Sequence, residues 1–259
     1  MPFATTDDGH EIWFEEHGTE GPIIVFVSGF MGIANIWEPL TTELDGKFRF
    51  IAYDSRGFGR SSKPESPESY SVPRHAVDLA TVLDTLKISE PVVLVAHSMG
   101  GNIASAYYLE HPDHVAGIVY SGTYYDGKLF SHLGVTLEAF AGMAESPAKC
   151  ADFYVNFGLP YNIALEAAKW PAYARRNNAK ILLEYEMGDR YTEIKIPTLG
   201  VQGDRDVVTP PETTAKIVAE ALPQNTKLAV LKDVNHFPQV EATEVFGHLV
   251  EEFGSQLSF

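Results

Sequence analysis

The stretch from Pro91 to Gly101, PVVLVAHSMGG, constrains this chain more than any other. It opens with Val92, Val93, Leu94 and Val95, an apolar and largely β-branched run. Such a run suits a strand covered on both faces of a parallel sheet. It stops at Ala96-His97-Ser98-Met99-Gly100-Gly101, after which the pattern turns helical. A serine between a strand and a helix, with small residues two positions away on each side, is the pattern of a nucleophile elbow. The reason is steric, because a tight and strained turn leaves no room for side chains at the positions of Ala96 and Gly100. The same turn lifts the Ser98 hydroxyl above the sheet edge. It leaves the Met99 N–H at a helix start, where it can face an oxyanion.

Strand-like and helix-like segments alternate around this one. Asp8-Gly9 reads as a hairpin turn within residues 3–17. Pro22–Val27 is a second buried strand, and it runs into the glycine-bearing loop Ser28-Gly29-Phe30-Met31-Gly32. Trp37–Leu44 is a short helix and Phe48–Tyr53 the next strand. Ser71 with Pro73 marks a helix start, and Val72, Ala76, Leu79, Leu83 and Leu86 lie along one helical face. Asn102–Glu110 is the helix behind the serine and Val115–Tyr120 another strand. Leu199–Gln202, Pro211–Leu222, Lys227–Leu231 and Thr243–Phe253 read as strand, helix, strand and helix. The alternation predicts an α/β fold with a doubly wound, mostly parallel sheet and ligands at the carboxyl ends of its strands. Residues 123–189 break the rhythm with aromatic, helix-like pieces and no clear buried strand. The expected organisation is a core of residues 1–122 and 190–259 with a helical cap insertion at 123–189.

Composition removes several function classes. A chain of 259 residues that is 45% hydrophobic can bury a sizeable core. No apolar run is long enough to span a bilayer, and MPFATTDDGHEIW lacks the layout of a secretory signal. The single cysteine, Cys150, allows no internal disulfide and fits a reducing compartment, so a cytoplasmic location is expected. A formal charge of −16 without a basic patch argues against nucleic acid or an anionic membrane as partner. The loop Gly57-Phe58-Gly59-Arg60-Ser61-Ser62 is a poor nucleotide site, since Ser62 replaces the third glycine of GxGxxG and no Walker lysine follows. It reads as packing beside the mouth of a site. His111 and His114 are separated by Pro112, and no HExxH or dense ligand cluster exists, so no metal and no organic cofactor is expected.

A serine hydroxyl needs a base. His236 stands after the last strand, in Asp233-Val234-Asn235-His236-Phe237-Pro238. The histidine in turn needs an acid to fix its tautomer. Gly203-Asp204-Arg205-Asp206 follows the preceding strand and offers two aspartates. Asp206 is favoured because the loop resembles a G-x-x-D-x-x-x-P pattern whose second aspartate is the acid, while Asp204 suits a turn. The order serine, aspartate, histidine is the one this topology uses. A second oxyanion donor is expected from the loop after Val27, with the Phe30 N–H as candidate.

VSGFMG (27–32), YDSRGFGRSS (53–62), VAHSMGG (95–101), GDRDVVTP (203–210) and NHF (235–237) span nearly the whole chain. Together they resemble the α/β-hydrolase superfamily, in particular its soluble esterases, lactonases and cofactor-free haloperoxidase-like enzymes. The resemblance implies a Ser98–His236–Asp206 triad, an acyl-enzyme route and a cap at 123–189. Two departures stand out. Ser28 occupies the place where many members have histidine, and the serine nucleophile makes the members that use aspartate poor matches.

The expected function is hydrolysis of an ester or lactone of a small, largely apolar molecule, by a monomer or homodimer. Carbon–carbon bond hydrolysis and perhydrolysis by the same triad remain open. So does a hydrolase-like ligand receptor with slow turnover. Trp37, Tyr124, Phe140, Phe153, Phe157, Trp170 and Tyr173 are the aromatic candidates for the substrate pocket. His97 reads as packing or as support beside the serine, the Arg175-Arg176 pair as a solvated helix face, and Cys150 as a small buried or half-buried residue.

Overall fold

A computed structural model describes residues 2–124, 127–142, 146–220, 222–223 and 226–258. Eight strands form one sheet: β1 (Phe3–Thr5), β2 (Glu11–His17), β3 (Ile23–Val27), β4 (Arg49–Tyr53), β5 (Val92–His97), β6 (Val115–Ser121), β7 (Thr198–Gly203) and β8 (Lys227–Leu231). Their spatial order is β1-β2-β4-β3-β5-β6-β7-β8. β1 and β2 pair antiparallel around the Asp8-Gly9 turn, β2 pairs antiparallel with β4, and every pairing from β4 to β8 is parallel. β3, β5 and β7 are buried along their whole length, which is why β3 and the first five residues of β5 read as unbroken apolar runs. β8 is one edge of the sheet, and Val230 on it is half exposed.

The helices among the described residues are α1 (Glu38–Glu43), α2 (Val72–Thr85), α3 (Met99–Glu110), α4 (Lys128–His132), α5 (Leu137–Gly142), α6 (Pro147–Val155), α7 (Tyr161–Ala167), α8 (Ala172–Glu184), α9 (Pro211–Glu220), α10 (Pro238–Glu241) and α11 (Thr243–Ser255). α2 packs on α3, while α1 packs on α10 and α11. The start of α2 follows its sequence signal: the Ser71 side chain accepts the Arg74 N–H at 3.0 Å, with Pro73 in the first turn. The helix expected over Trp37–Leu44 is present, with Trp37 and Leu44 as its two caps. A 3-10 turn covers Ala34–Trp37, and α1 begins only at Glu38, with Pro39 in its first turn. The end expected for the helix over 211–222 includes Ala221, which lies outside the described residues.

α4 to α8 and a 3-10 turn at Gly188–Glu193 form a helical excursion between β6 and β7. The loop after β4 is its seat. Arg56 is fully buried there and forks onto Asp78 and Asp8, with contacts of 2.7 and 2.6 Å. Asp54, also buried, accepts the Ala34 and Arg60 N–H groups, each at 2.8 Å. From the excursion, Asn178 bonds His75 at 3.0 Å and Tyr173 donates to the Lys63 carbonyl at 2.9 Å. The chain crosses from β4 back past β3 to β5, so the sheet reverses its winding between β3 and β5. A parallel sheet opens a crevice at the carboxyl ends of such a pair. The Ser28–Gly32 loop and Ser98 both sit there.

Candidate active site

Ser98 has φ 54° and ψ −124°, backbone that a non-glycine residue adopts only when its surroundings enforce it. The enforcement is visible. The Ser98 N–H donates to the Ser121 carbonyl at 2.8 Å, and the Ser98 carbonyl accepts from Gly101 N–H at 3.0 Å and Thr123 Oγ1 at 3.2 Å. A Cβ at Gly100 would lie 2.0 Å from the Val27 carbonyl oxygen, so α3 can start only with glycine there. A Cβ at Gly29 would lie 2.9 Å from Met99 N and 2.6 Å from the His97 carbonyl oxygen. The two glycines let the loop after β3 press directly against the serine turn. Among the described residues, neither the Phe30 nor the Met99 N–H donates to a backbone carbonyl. Two unspent donors beside one serine suit a developing oxyanion. Ser28, buried, accepts from Trp37 Nε1 at 2.8 Å and so ties this loop to the start of α1.

His236 and Asp206 meet at the same end of the sheet. His236 Nδ1 donates to Asp206 Oδ2 at 2.8 Å. A carboxylate only accepts, so Nδ1 carries the hydrogen, and in the neutral ring Nε2 is then the nitrogen with the lone pair. Asp206 is buried, whereas the rival Asp204 is exposed. The Asp206 carboxylate also receives Gln202 Nε2, Thr209 Oγ1 and the Val208 N–H, each at 2.8 Å, and the Thr209 N–H at 2.9 Å. Burial alone raises a carboxyl pKa, but the His236 charge and the bonds from His236 and Thr209 outweigh it, and the Asp206 carboxyl stays below its ordinary range. Gly122 makes room for the pair, since a Cβ there would stand 3.3 Å from both Asp206 Oδ2 and His236 Nδ1.

Ser98 and His236 open into one cavity of about 370 Å³. Its walls come from the loop after β3 (Phe30, Met31), from the excursion (Phe130, Phe140, Phe153, Phe157), and from the loops carrying Asp206 and His236 (Val207, Phe237). Among the described residues, no Lys, Arg, Asp or Glu lines it. Among the described residues, no group of three or more His, Cys, Asp or Glu gathers as a metal ligand set.

A profile of the alpha/beta hydrolase fold matches residues 22–168. The chain belongs to the alpha/beta hydrolase fold family. This α/β hydrolase is 28% identical to Lipase 1 of Psychrobacter immobilis over 258 residues, covering 93% of this chain and 79% of that protein. It is 27% identical to the non-heme haloperoxidase of Rhodococcus erythropolis, covering 91% and 93% of the two chains. An esterase from Exiguobacterium antarcticum shares the fold with a TM-score of 0.86 at 23% identity, covering 98% of this chain and 99% of the other.

Of the seven aromatic residues expected around the pocket, the structure brings Phe140, Phe153 and Phe157 to its wall. The other four are elsewhere. Trp37 is buried under the sheet, stacked on Phe26 at 4.7 Å, because its indole N–H is spent on Ser28. Trp170 lies behind the wall, 4.3 Å from Phe58 and 5.4 Å from Phe30. Tyr124 stands edge-on behind Phe130 at 4.9 Å, and Tyr173 is on the surface, bonded to the Lys63 carbonyl. Arg175, read as solvated, is buried with its guanidinium 5.6 Å from the Trp170 ring. Several lining residues escaped the sequence reading, but a local signal existed for four. Met31, Val207, Val208 and Phe237 lie within two residues of Phe30, Asp206 or His236. Leu133, Val135 and Leu182 carry no such signal.

Proposed function

We propose that this α/β hydrolase cleaves an ester or lactone of an uncharged, apolar substrate through an acyl-enzyme. Ser98 attacks the carbonyl carbon while His236 Nε2 takes its proton, and Asp206 holds the imidazole in the Nδ1–H form and stabilises the imidazolium. The Phe30 and Met99 N–H groups receive the oxyanion. His236 then protonates the leaving oxygen, activates a water, and the acid departs. Residues 123–189 serve as the cap that closes the apolar wall over the serine. The observation that carries this reading is the strained Ser98 opening, together with the His236–Asp206 pair, onto a cavity whose described wall residues include no Lys, Arg, Asp or Glu. A wall without a cation gives a substrate carboxylate no partner, and a buried unpaired charge is costly. This favours neutral esters and lactones over anionic ones.

The test is proton release in a pH-stat with neutral aliphatic esters, neutral lactones and a carboxylate-bearing vinylogous diketone, for the wild type and Ser98→Ala. Multiple-turnover acid release on the neutral compounds, lost in Ser98→Ala, is the expected result. Release that persists in Ser98→Ala, or turnover of the anionic compound alone, overturns the reading.

A further inference from the structure

The polar backbone around the His236 imidazole is tied down on every side, and by three separate parts of the chain. The His236 N–H donates to the Phe157 carbonyl at 3.2 Å, in the turn between α6 and α7. The His236 carbonyl accepts from His97 Nε2 at 2.7 Å. The N–H groups on either side, of Asn235 and Phe237, both donate to one carboxylate: Asn235 N to Glu241 Oε2 at 2.9 Å and Phe237 N to Glu241 Oε1 at 2.8 Å. The Asn235 side chain adds a bond to the Asn156 carbonyl at 3.1 Å.

An ordinary role for Glu241 is capping α10, whose N-cap is Phe237. Capping accounts for the bond to Phe237 N–H and for nothing more. The second bond goes to a residue outside the helix, and the two together bracket His236. The helical excursion is fitted to this arrangement. Gly158 has φ +106°, and a Cβ on it would lie 2.2 Å from the Glu241 carboxyl carbon. The turn can therefore close over Glu241 only as glycine. Phe157, whose carbonyl holds the His236 N–H, also lines the cavity.

We propose that Glu241 is a positioning residue for His236, and that the turn 156–158 is the other half of the clamp, coupling the base to a wall of the substrate cavity. The proposal rests on the reading of Ser98 and His236 as nucleophile and base. Asp206 fixes the imidazole at Nδ1, but where Nε2 arrives also depends on the backbone that carries the ring. A misplacement of about 1 Å costs on the order of a hundredfold in rate.

The experiment measures kcat and KM on 4-nitrophenyl hexanoate, with active sites counted by a fluorophosphonate. The variants are Glu241→Ala, Glu241→Gln, Gly158→Ala and the double variant Gly158→Ala/Glu241→Ala, with Ser98→Ala in parallel. Glu241→Ala is expected to lower kcat per counted site roughly tenfold to hundredfold with KM changed less than about threefold. Glutamine keeps the shape but turns an amide N–H₂ toward one of the two donors, so Glu241→Gln shows the same loss. A role in folding alone would lower the count of active sites and be rescued by glutamine. The double variant is expected to be no slower than the slower single, because both changes open one clamp. A kcat per site within about twofold of wild type in Glu241→Gln, or losses that add in the double variant, overturns the positioning role while Ser98→Ala stays inactive. A Ser98→Ala that still turns over removes the nucleophile reading and the proposal with it. Should Glu241→Ala fail to fold, the isosteric glutamine variant decides.

Discussion

His97 gives the sharpest test of how the site is held. Its ring is buried 4.7 Å from the His236 ring, and its Nε2–H is committed to the His236 carbonyl at 2.7 Å. Burial first, and then the neighbouring His236, push its pKa from 6.5 down to about 3. The sign follows from proton counting. Between these two values the unfolded chain binds a proton at this residue and the folded chain does not, so stability rises with pH across the window and is lost as pH falls through it. Relative to pH 7, the loss is about 2 kcal/mol at pH 5 and about 4 kcal/mol at pH 3. His97→Gln removes the titration, and its amide can still donate to the same carbonyl. The assay is urea unfolding of both proteins at pH 7 and pH 5, with stability from linear extrapolation. The wild type should lose about 2 kcal/mol more than the variant between the two. His75, whose pKa burial also lowers, acts in the same direction and cancels in the difference. Losses that agree to within about 0.5 kcal/mol would refute the picture of a buried neutral imidazole.

Other perturbations test the frame and the site. Gly100→Ala places a Cβ 2.0 Å from a backbone oxygen that cannot yield, and should cost at least roughly 1–3 kcal/mol, read as a fall in Tm. Arg56→Met strands the buried Asp78 carboxylate and should cost roughly 3–5 kcal/mol in urea unfolding, since one partner of a buried pair is removed. Asp206→Asn keeps the volume but frees the His236 tautomer, so kcat should fall on the order of 10³–10⁴-fold with KM little changed. Phe140→Ala enlarges the cavity, so kcat/KM across an ester series should shift toward longer acyl chains; an unchanged ranking would exclude that ring from the acyl wall.

The parts of this protein that were legible in its sequence are those governed by local sterics. β5 reads as a buried strand because only a strand covered on both faces tolerates Val92 to Val95 in a row, and all of it is buried. Ala96 and Gly100 read as small because the turn at Ser98 leaves no space, and the Val27 carbonyl stands 2.0 Å from where a side chain at Gly100 would begin. The α/β alternation survives in the eight-stranded sheet for the same reason: burial pattern is written residue by residue along each strand.

What lies around the serine was decided by tertiary structure. Aromatic residues near Ser98 or in 123–189 look alike in sequence, yet Phe153 and Phe157 line the cavity while Trp170 packs behind Phe58 and Tyr173 faces solvent. The difference depends on how α8 docks on α2 through Asn178 and on the loop after β4 through Tyr173, contacts that join residues more than a hundred positions apart. Asp204 and Asp206 differ in the same way, since only the fold buries one and exposes the other. In the clamp around His236 only Glu241 is a near neighbour in sequence; His97 and Phe157 reach the histidine only when β5 and the α6–α7 turn converge on it. Local patterns select strands, turns and small residues, because those limits act between neighbours along the chain. The cavity wall, and the grip of His97 and Phe157 on the histidine, come from groups that become neighbours only on folding.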